Sequence, residues 1–256
     1  ADISNFMELK DKLPKKSFDY VINLSGYIDH SSFLDGGRQI IDAHFGGMQN
    51  LINLIDWGKL KRFVQIGSSD EYGNHPAPQN EDMPAYSISP YSFGKSASAQ
   101  LLQMLYRTES FPATILRLFL VYGPGQDNRR FLPQIIQGCL TNSTFSVSSG
   151  DQLRDFCYVD DIIDGIFLSL ENDKVDGQII NLGSGKPVSI RHIIDYVKKN
   201  IGYGNPEFGK IPYRLDENME LYADISKAKN LLGWEEKVSF EVGMEKTIQY
   251  YLKIYT

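Results

Sequence analysis

The stretch Arg62-Phe-Val-Gln-Ile66, running into Gly67-Ser68-Ser69-Asp70, decides the fold. A short, mostly apolar run that ends in a small, polar turn reads as a buried strand of a parallel sheet. In such sheets ligands sit at the carboxyl ends of the strands. Upstream, Phe18-Asp-Tyr-Val-Ile-Asn-Leu24 has the same character. Between the two, Asp35 to Trp57 carries Ile40, Ile41, Phe45, Met48, Leu51, Ile52 and Ile55 at helical spacing, with Gly58 as a stop. Downstream, Ser89 and Pro90 predict the N-cap and first residue of a helix running towards Ser110. Ala113 to Val121 predicts a third strand, closed by the turn Tyr122-Gly-Pro-Gly125.

Strands alternating with helices predict an α/β fold with a parallel sheet. After residue 125 the pattern is less regular. Helices are expected over Phe131 to Leu140, Val159 to Glu171, Ile190 to Asn200 and Ser226 to Gly233, and strands over Thr144 to Val147 and Ile179 to Leu182. The expected division is a Rossmann-type unit over 1–125 and a smaller α/β lobe over 126–256, with some segments of the second half returning to the first.

The chain has 256 residues, 42% hydrophobic and 23% charged, which excludes wholesale disorder. Its 26 Lys and Arg against 32 Asp and Glu give a net charge of −6 with no basic run, which argues against nucleic acid as a partner. The cysteines, Cys139 and Cys157, form no CxxC and stand near no His, which argues against a disulfide scaffold or a zinc site. No apolar run reaches bilayer length, and Ile115 to Val121 is cut by Arg117. The start, Ala1-Asp2-Ile3-Ser4, lacks the layout of a signal peptide. A cytoplasmic protein is the expectation.

The sharpest chemical feature is Tyr91-Ser-Phe-Gly-Lys95. Residues at i and i+4 of a helix share a face, so a phenol and an ammonium can point into one cavity. The cation is expected to lower the tyrosine pKa from about 10, giving an acid–base that works near neutrality. With 15 tyrosines in the chain, one Tyr-x-x-x-Lys could arise by chance. Ser68, a hydroxyl at a strand end 23 residues before Tyr91, changes those odds.

In order, the chain presents Ser68, Tyr72-Gly73, Tyr91-x-x-x-Lys95, Arg117-Leu-Phe-Leu-Val-Tyr-Gly-Pro124, Arg154-Asp-Phe-Cys-Tyr-Val-Asp160-Asp161, Asn181-Leu-Gly-Ser-Gly185, Asp224-Ile-Ser-Lys-Ala-Lys and Leu232-Gly-Trp234. This series resembles the extended short-chain dehydrogenase/reductases and, more narrowly, the NAD-dependent epimerase/dehydratase family that modifies nucleotide-activated sugars. The resemblance implies a Rossmann-type domain for NAD or NADP and a smaller lobe for a nucleotide-diphosphate sugar. It implies Ser68, Tyr91 and Lys95 as the catalytic serine, tyrosine and lysine. Asp2 and Ile3 match the pair beside the cofactor's adenine, and Leu24, Ser25 and Gly26 the strand end along its ribose and phosphates. His44 stands where the family often has Asn, and Phe119 where the backbone meets the nicotinamide. Ser69 and Leu120 fall on the sugar side. Arg154 and Arg214 match the arginines that clamp the diphosphate, with Glu217 near the nucleoside ribose. A homodimer through a four-helix bundle, built from Asp35 to Trp57 and Tyr91 to Ser110, is implied as well.

Three departures stand out. The Gly-x-x-Gly-x-x-Gly turn of the family's first strand is absent, as if the first βαβ unit were missing; about fifty residues upstream of Ala1 would supply it. Leu120 stands where a substrate-contacting Asn is common. Asp70 occupies the position of the Glu base of 4,6-dehydratases. The expected activity is therefore 4-keto reduction or epimerisation of a nucleotide-linked hexose. The alternatives are a 4,6-dehydratase, resting on Asp70, and a non-catalytic sugar-nucleotide-binding protein, resting on the missing glycine turn. His30, His75 and His192 are scattered and are assigned to surface or packing roles.

Overall fold

The computed structural model describes residues 1–13, 17–213 and 217–255. The strands are β1 (Tyr20–Asn23), β2 (Arg62–Ser68), β3 (Ala113–Leu118), β4 (Leu120–Tyr122), β5 (Thr144–Ser146), β6 (Leu153–Tyr158), β7 (Ile179–Leu182), β8 (Pro187–Ser189), β9 (Asn205–Glu207) and β10 (Glu220–Leu221). The helices are α1 (Phe6–Lys12), α2 (Gly37–Ile41), α3 (Gly47–Leu54), α4 (Pro90–Glu109), α5 (Phe131–Leu140), α6 (Val159–Leu170), α7 (Ile190–Ile201), α8 (Ser226–Leu232) and α9 (Phe240–Tyr255).

The main sheet runs β1-β2-β3-β7, parallel throughout, with Val21 opposite Phe63, Val64 opposite Thr114 and Leu116 opposite Ile180. Both of its faces are covered, and alternation along the strands divides the side chains between them. Phe63 and Ile115 pack with Met48, Ile52, Ala99 and Leu102 of α3 and α4. Val64 and Leu116 pack with Ile162, Ile166, Leu232 and Trp234 on the other face. A second sheet, β10-β6-β4 with β8 antiparallel to β6, lies over a separate core that includes Ile136, Phe156, Ile193, Met244 and Ile248.

Two predicted elements are broken. The run from Ala113 is not one strand, because the chain changes sheets after Phe119. The Phe119 N–H makes the last bond to β7, donating to the Leu182 carbonyl at 3.1 Å, and from Leu120 the chain continues as β4 paired with β6 in the other sheet. The helix predicted from Asp35 to Trp57 ends at Leu54, and Asp42–Gly46 forms a π turn between α2 and α3. That turn carries His44 inward, where it is buried. Strand β6 and helix α9 were not anticipated, although Met244, Ile248 and Tyr251 give α9 an apolar stripe.

Helix α4 starts as predicted. Pro90 fills its first position, and the Ser89 hydroxyl accepts from the Ser92 N–H at 3.1 Å. Gly94 lets it pack closely: a Cβ there would stand 3.1 Å from His44 Cβ and 3.6 Å from Ile41 Cα.

Candidate active site

Strand β2 and helix α4 bring Ser68, Tyr91 and Lys95 together at the carboxyl end of β2. All three are buried, at 8%, 5% and 6% exposure. Lys95 Nζ donates to the Ile66 carbonyl at 2.9 Å and lies 5.9 Å from the Tyr91 ring centroid. The His44 ring meets the Tyr91 ring edge-on, with centroids 5.0 Å apart.

The electrostatics reverse one expectation. The Tyr91 pKa is raised: burial is the largest cause and the Asp70 carboxylate the next, while the Ser68 hydroxyl opposes them. Lys95, 5.9 Å from the ring centroid, does not outweigh these causes. Burial brings Lys95 itself down to about 8, against the pull of Glu71. Tyr91 is thus held as a neutral phenol, the form that donates a proton; only as the phenolate can it accept one. Burial, aided by the charge of Lys95, pushes His44 down to about 4, and the ring stays neutral with Nε2 donating to the Tyr27 carbonyl at 2.9 Å.

Beneath Ser68 lies a support the sequence reading missed. Glu71 is fully buried and accepts the Ser68 N–H at 2.9 Å, while its other oxygen receives Arg117 Nε at 3.0 Å and Nη2 at 2.9 Å. Arg117 also stacks on the Tyr72 ring, 4.5 Å from its centroid, and Tyr72 Oη donates to Asn181 Oδ1 at 2.7 Å. The signal was present: Ser68-x-x-Glu71 is a capping-box spacing, and here both halves of the box form. His30, assigned to a surface or packing role, lies with its ring 5.5 Å from that of Tyr91 and its Nε2 3.7 Å from Asp70 Oδ2. Nothing in its sequence position announced this.

The residues matched to a cofactor form a separate wall. Asp2, Ile3, Ser25 and Gly26, with Tyr27, Gln39 and Asp42, line a cavity of about 480 Å³. Gly26 has φ +106°, and a Cβ on it would collide with the His44 ring. Leu24 is exposed, and Phe119 is buried beside Tyr72 and Ala223. Leu120 is half-buried on β4.

On the second sheet, Arg154 Nη2 pairs with Glu217, and both side chains are largely buried. Arg214 lies outside the described residues. Asp155, the neighbour of Arg154, has no exposure and accepts four hydrogen bonds: Ser184 N at 2.6 Å, Ser184 Oγ at 2.7 Å, Gly185 N at 3.0 Å and Ala223 N at 3.0 Å. It ties β6 to the turn after β7 and to the segment after β10. Trp234 is a core residue whose indole N–H donates to the Asp161 carbonyl at 2.8 Å. Among the described residues, no group of three or more His, Cys, Asp or Glu is placed to hold a metal ion, and no helix is long and apolar enough to cross a membrane.

The model of the NAD dependent epimerase/dehydratase family matches residues 1–183. The chain belongs to that family. A UDP-glucuronate 4-epimerase of Thermodesulfobacterium geofontis is 31% identical over 252 residues, 97% of this chain and 77% of that protein. A mouse dTDP-D-glucose 4,6-dehydratase is 27% identical over 215 residues, 81% of this chain and 60% of the relative. Among solved structures, a UDP-glucuronic acid 4-epimerase from Bacillus cereus, in complex with UDP-glucuronic acid and NAD, superposes with a TM-score of 0.87 at 29% identity, covering 100% of this chain and 79% of that one. Within the family, these relatives share a nucleotide sugar and differ in the reaction performed on it.

Proposed function

We propose that this family member interconverts a hydroxyl and a ketone at carbon 4 of a nucleotide-diphosphate hexose, with 4-epimerisation as the net reaction and Tyr91 as the acid–base. The observation that carries the reading is the buried set Ser68, Tyr91 and Lys95, held at one strand end by β2 and α4.

The wall of Asp2, Ile3, Ser25 and Gly26 fits an NAD or NADP dinucleotide, because it lines a cavity of about 480 Å³ beyond the end of β1, with the Asp2 carboxylate and the Ser25 hydroxyl available to a ribose. When bound there, such a cofactor supplies the acceptor and donor of hydride. Tyr91, once it has given up its own proton to become the phenolate, takes the proton of the sugar hydroxyl as that carbon is oxidised and returns it when the carbon is reduced. Ser68 holds the reacting oxygen by a hydrogen bond, its backbone fixed by Glu71. Lys95 places positive charge beside the phenol. Arg154, with Arg214, would take the diphosphate, for which a guanidinium has both the charge and the fork geometry. Glu217, the partner of Arg154, lies within reach of the nucleoside ribose in this reading. A two-fold dimer is part of the proposal: Phe93 and Met104 leave an apolar outer face on α4.

A second reading, 4,6-dehydration, is favoured by the Asp70 carboxylate, close enough to Tyr91 to act on its ionisation. Product analysis separates the two. The full-length protein is incubated with UDP-glucuronate, UDP-glucose or dTDP-glucose and catalytic NAD. The expected result is the C4 epimer without accumulation of reduced cofactor. A 4-keto-6-deoxy product would select the second reading, and no conversion of any of the three, with no NADH oxidised by 4-keto sugar nucleotides, would remove both.

A further inference from the structure

Hydride exchange at one sugar carbon needs one proton acceptor, and Tyr91 with Ser68 and Lys95 supplies it. The site nevertheless holds a second pair of proton-moving groups. His30, on the loop after β1, sets its ring at 70° to that of Tyr91 with centroids 5.5 Å apart, and its Nε2 lies 3.7 Å from Asp70 Oδ2. Asp70 comes from a different element, the turn after β2. Loop and strand end thus meet over a single phenol. Both partners keep about a third of their side chains exposed, 37% for His30 and 32% for Asp70, whereas Tyr91 is buried. A polar contact of this exposure adds little to stability, so stability does not account for the arrangement. The other titratable groups around the imidazole are Asp29, its neighbour on the loop, and His44, on the far side of the Tyr91 ring.

We propose that His30, oriented by Asp70, is a second proton-transfer residue of this site, acting on a carbon adjacent to the ketone of the nucleotide sugar. The proposal rests on the reading that a keto sugar is formed or bound against Tyr91. A C–H bond beside a carbonyl is acidic enough for an imidazole to break. The neutral ring takes the proton on nitrogen, and the C–H electron pair becomes the carbon–carbon double bond of an enolate. The negative charge comes to rest on the former ketone oxygen, which Tyr91 and Ser68 face. Returning the proton restores the ketone, and nothing is oxidised or reduced. Imidazole is suited to this step because one ring nitrogen of the neutral form accepts a proton that the ring can then return. Tyr91, occupied with the oxygen, is not available to do so.

The test uses the full-length protein in D2O with UDP- and dTDP-linked 4-keto-6-deoxyhexoses and no reduced cofactor. NMR follows deuterium entering the carbons that flank the ketone, above the rate without protein. The natural chain is expected to catalyse the exchange, and His30→Gln to lose it at least ~10²-fold. NADH oxidation by the same keto sugars, measured separately, should change less than about threefold in that variant, an outcome that general disruption of the site would not give. Asp70→Asn, which keeps size but removes the charge, should slow exchange on the order of tenfold, and added imidazole should restore part of the exchange in His30→Ala. His30→Gln exchanging at the natural rate overturns the proposal. So does a natural protein that oxidises NADH with these sugars but exchanges no deuterium, a result that leaves the parent reading standing. A protein that does neither overturns both.

Discussion

The carboxyl end of β2 and the β6 edge of the second sheet both carry charged side chains, yet they hold them differently. At β2 the charges are buried and held by hydrogen bonds to the backbone. Glu71 is gripped by a backbone N–H and a guanidinium, and Lys95 by a backbone carbonyl. At β6, Arg154 and Glu217 pair with each other, 12% and 19% exposed, on the lobe whose connections vary most in direction. The difference matches the two tasks proposed for these regions. Proton and hydride chemistry needs groups preorganised to a fraction of an ångström, which burial and paired hydrogen bonds provide. Recognition of a phosphorylated ligand needs charge that can leave one partner for another. The first region should therefore break as a whole when one member is removed, and the second should lose binding locally.

The largest expected effect is on Glu71. Glu71→Ala leaves Arg117 buried without its carboxylate and frees the Ser68 N–H, which should cost about 3–5 kcal/mol of stability. Urea denaturation checks this. A loss below about 1 kcal/mol would show that the pair is not the support of the strand end.

Next comes Tyr91→Phe, which keeps the ring and removes the proton. Turnover should fall by at least ~10²-fold with nucleotide-sugar binding largely kept, as seen in steady-state rates beside calorimetry. Near-natural turnover, with chemistry limiting, would sink the assignment.

The third effect belongs to the other region. Arg154→Ala should weaken nucleotide-sugar binding on the order of ten- to a hundredfold while NAD binding and the unfolding midpoint change little. Equal losses for sugar nucleotide and cofactor would mean that β6 is as tightly coupled as β2, and the contrast between the regions would fail.

The same contrast explains what could be read from the sequence. The strand end at Ser68, the helix start at Ser89-Pro90 and the Tyr91–Lys95 pair are local signals, set by residues within a turn or two of each other, and the structure holds them as read. What escaped is set at long range. The run from Ala113 changes sheets after Phe119 because β7, more than sixty residues later, ends beside it at Leu182 while β6 pairs with Leu120 and the residues after it. His30 meets Asp70 only because the ends of β1 and β2 lie side by side, and no spacing encodes that. Glu71 is the instructive intermediate: its capping-box spacing was legible, but its bond to Arg117 required neighbouring strands in register, Gly67 opposite Arg117. The lowered Tyr91 pKa expected from the i, i+4 lysine failed for the same reason, since burial and a carboxylate from another element outweigh one local cation.

The smallest effect sharpens the comparison from inside the first region. Lys95 has a folded-state pKa of about 8, below its ordinary 10.5, because burial penalises its charge. Below both values the side chain is charged in the folded and unfolded states alike, so at pH 7 the folded protein carries the whole desolvation cost, about 3 kcal/mol. Lys95→Met removes that cost but also the bond to Ile66, worth about 1 kcal/mol. The variant should therefore be inactive yet more stable at pH 7 by about 1–2 kcal/mol. As pH rises from about 8 towards 10.5, the folded protein releases the Lys95 proton before the unfolded chain does, the cost fades, and the advantage of the variant should shrink with it. Urea midpoints at pH 7 and pH 10 measure both quantities. A variant less stable than the natural chain at pH 7, or an advantage that grows with pH, would mean that Lys95 supports the fold it is buried in, and that the β2 end is organised for stability rather than for proton transfer.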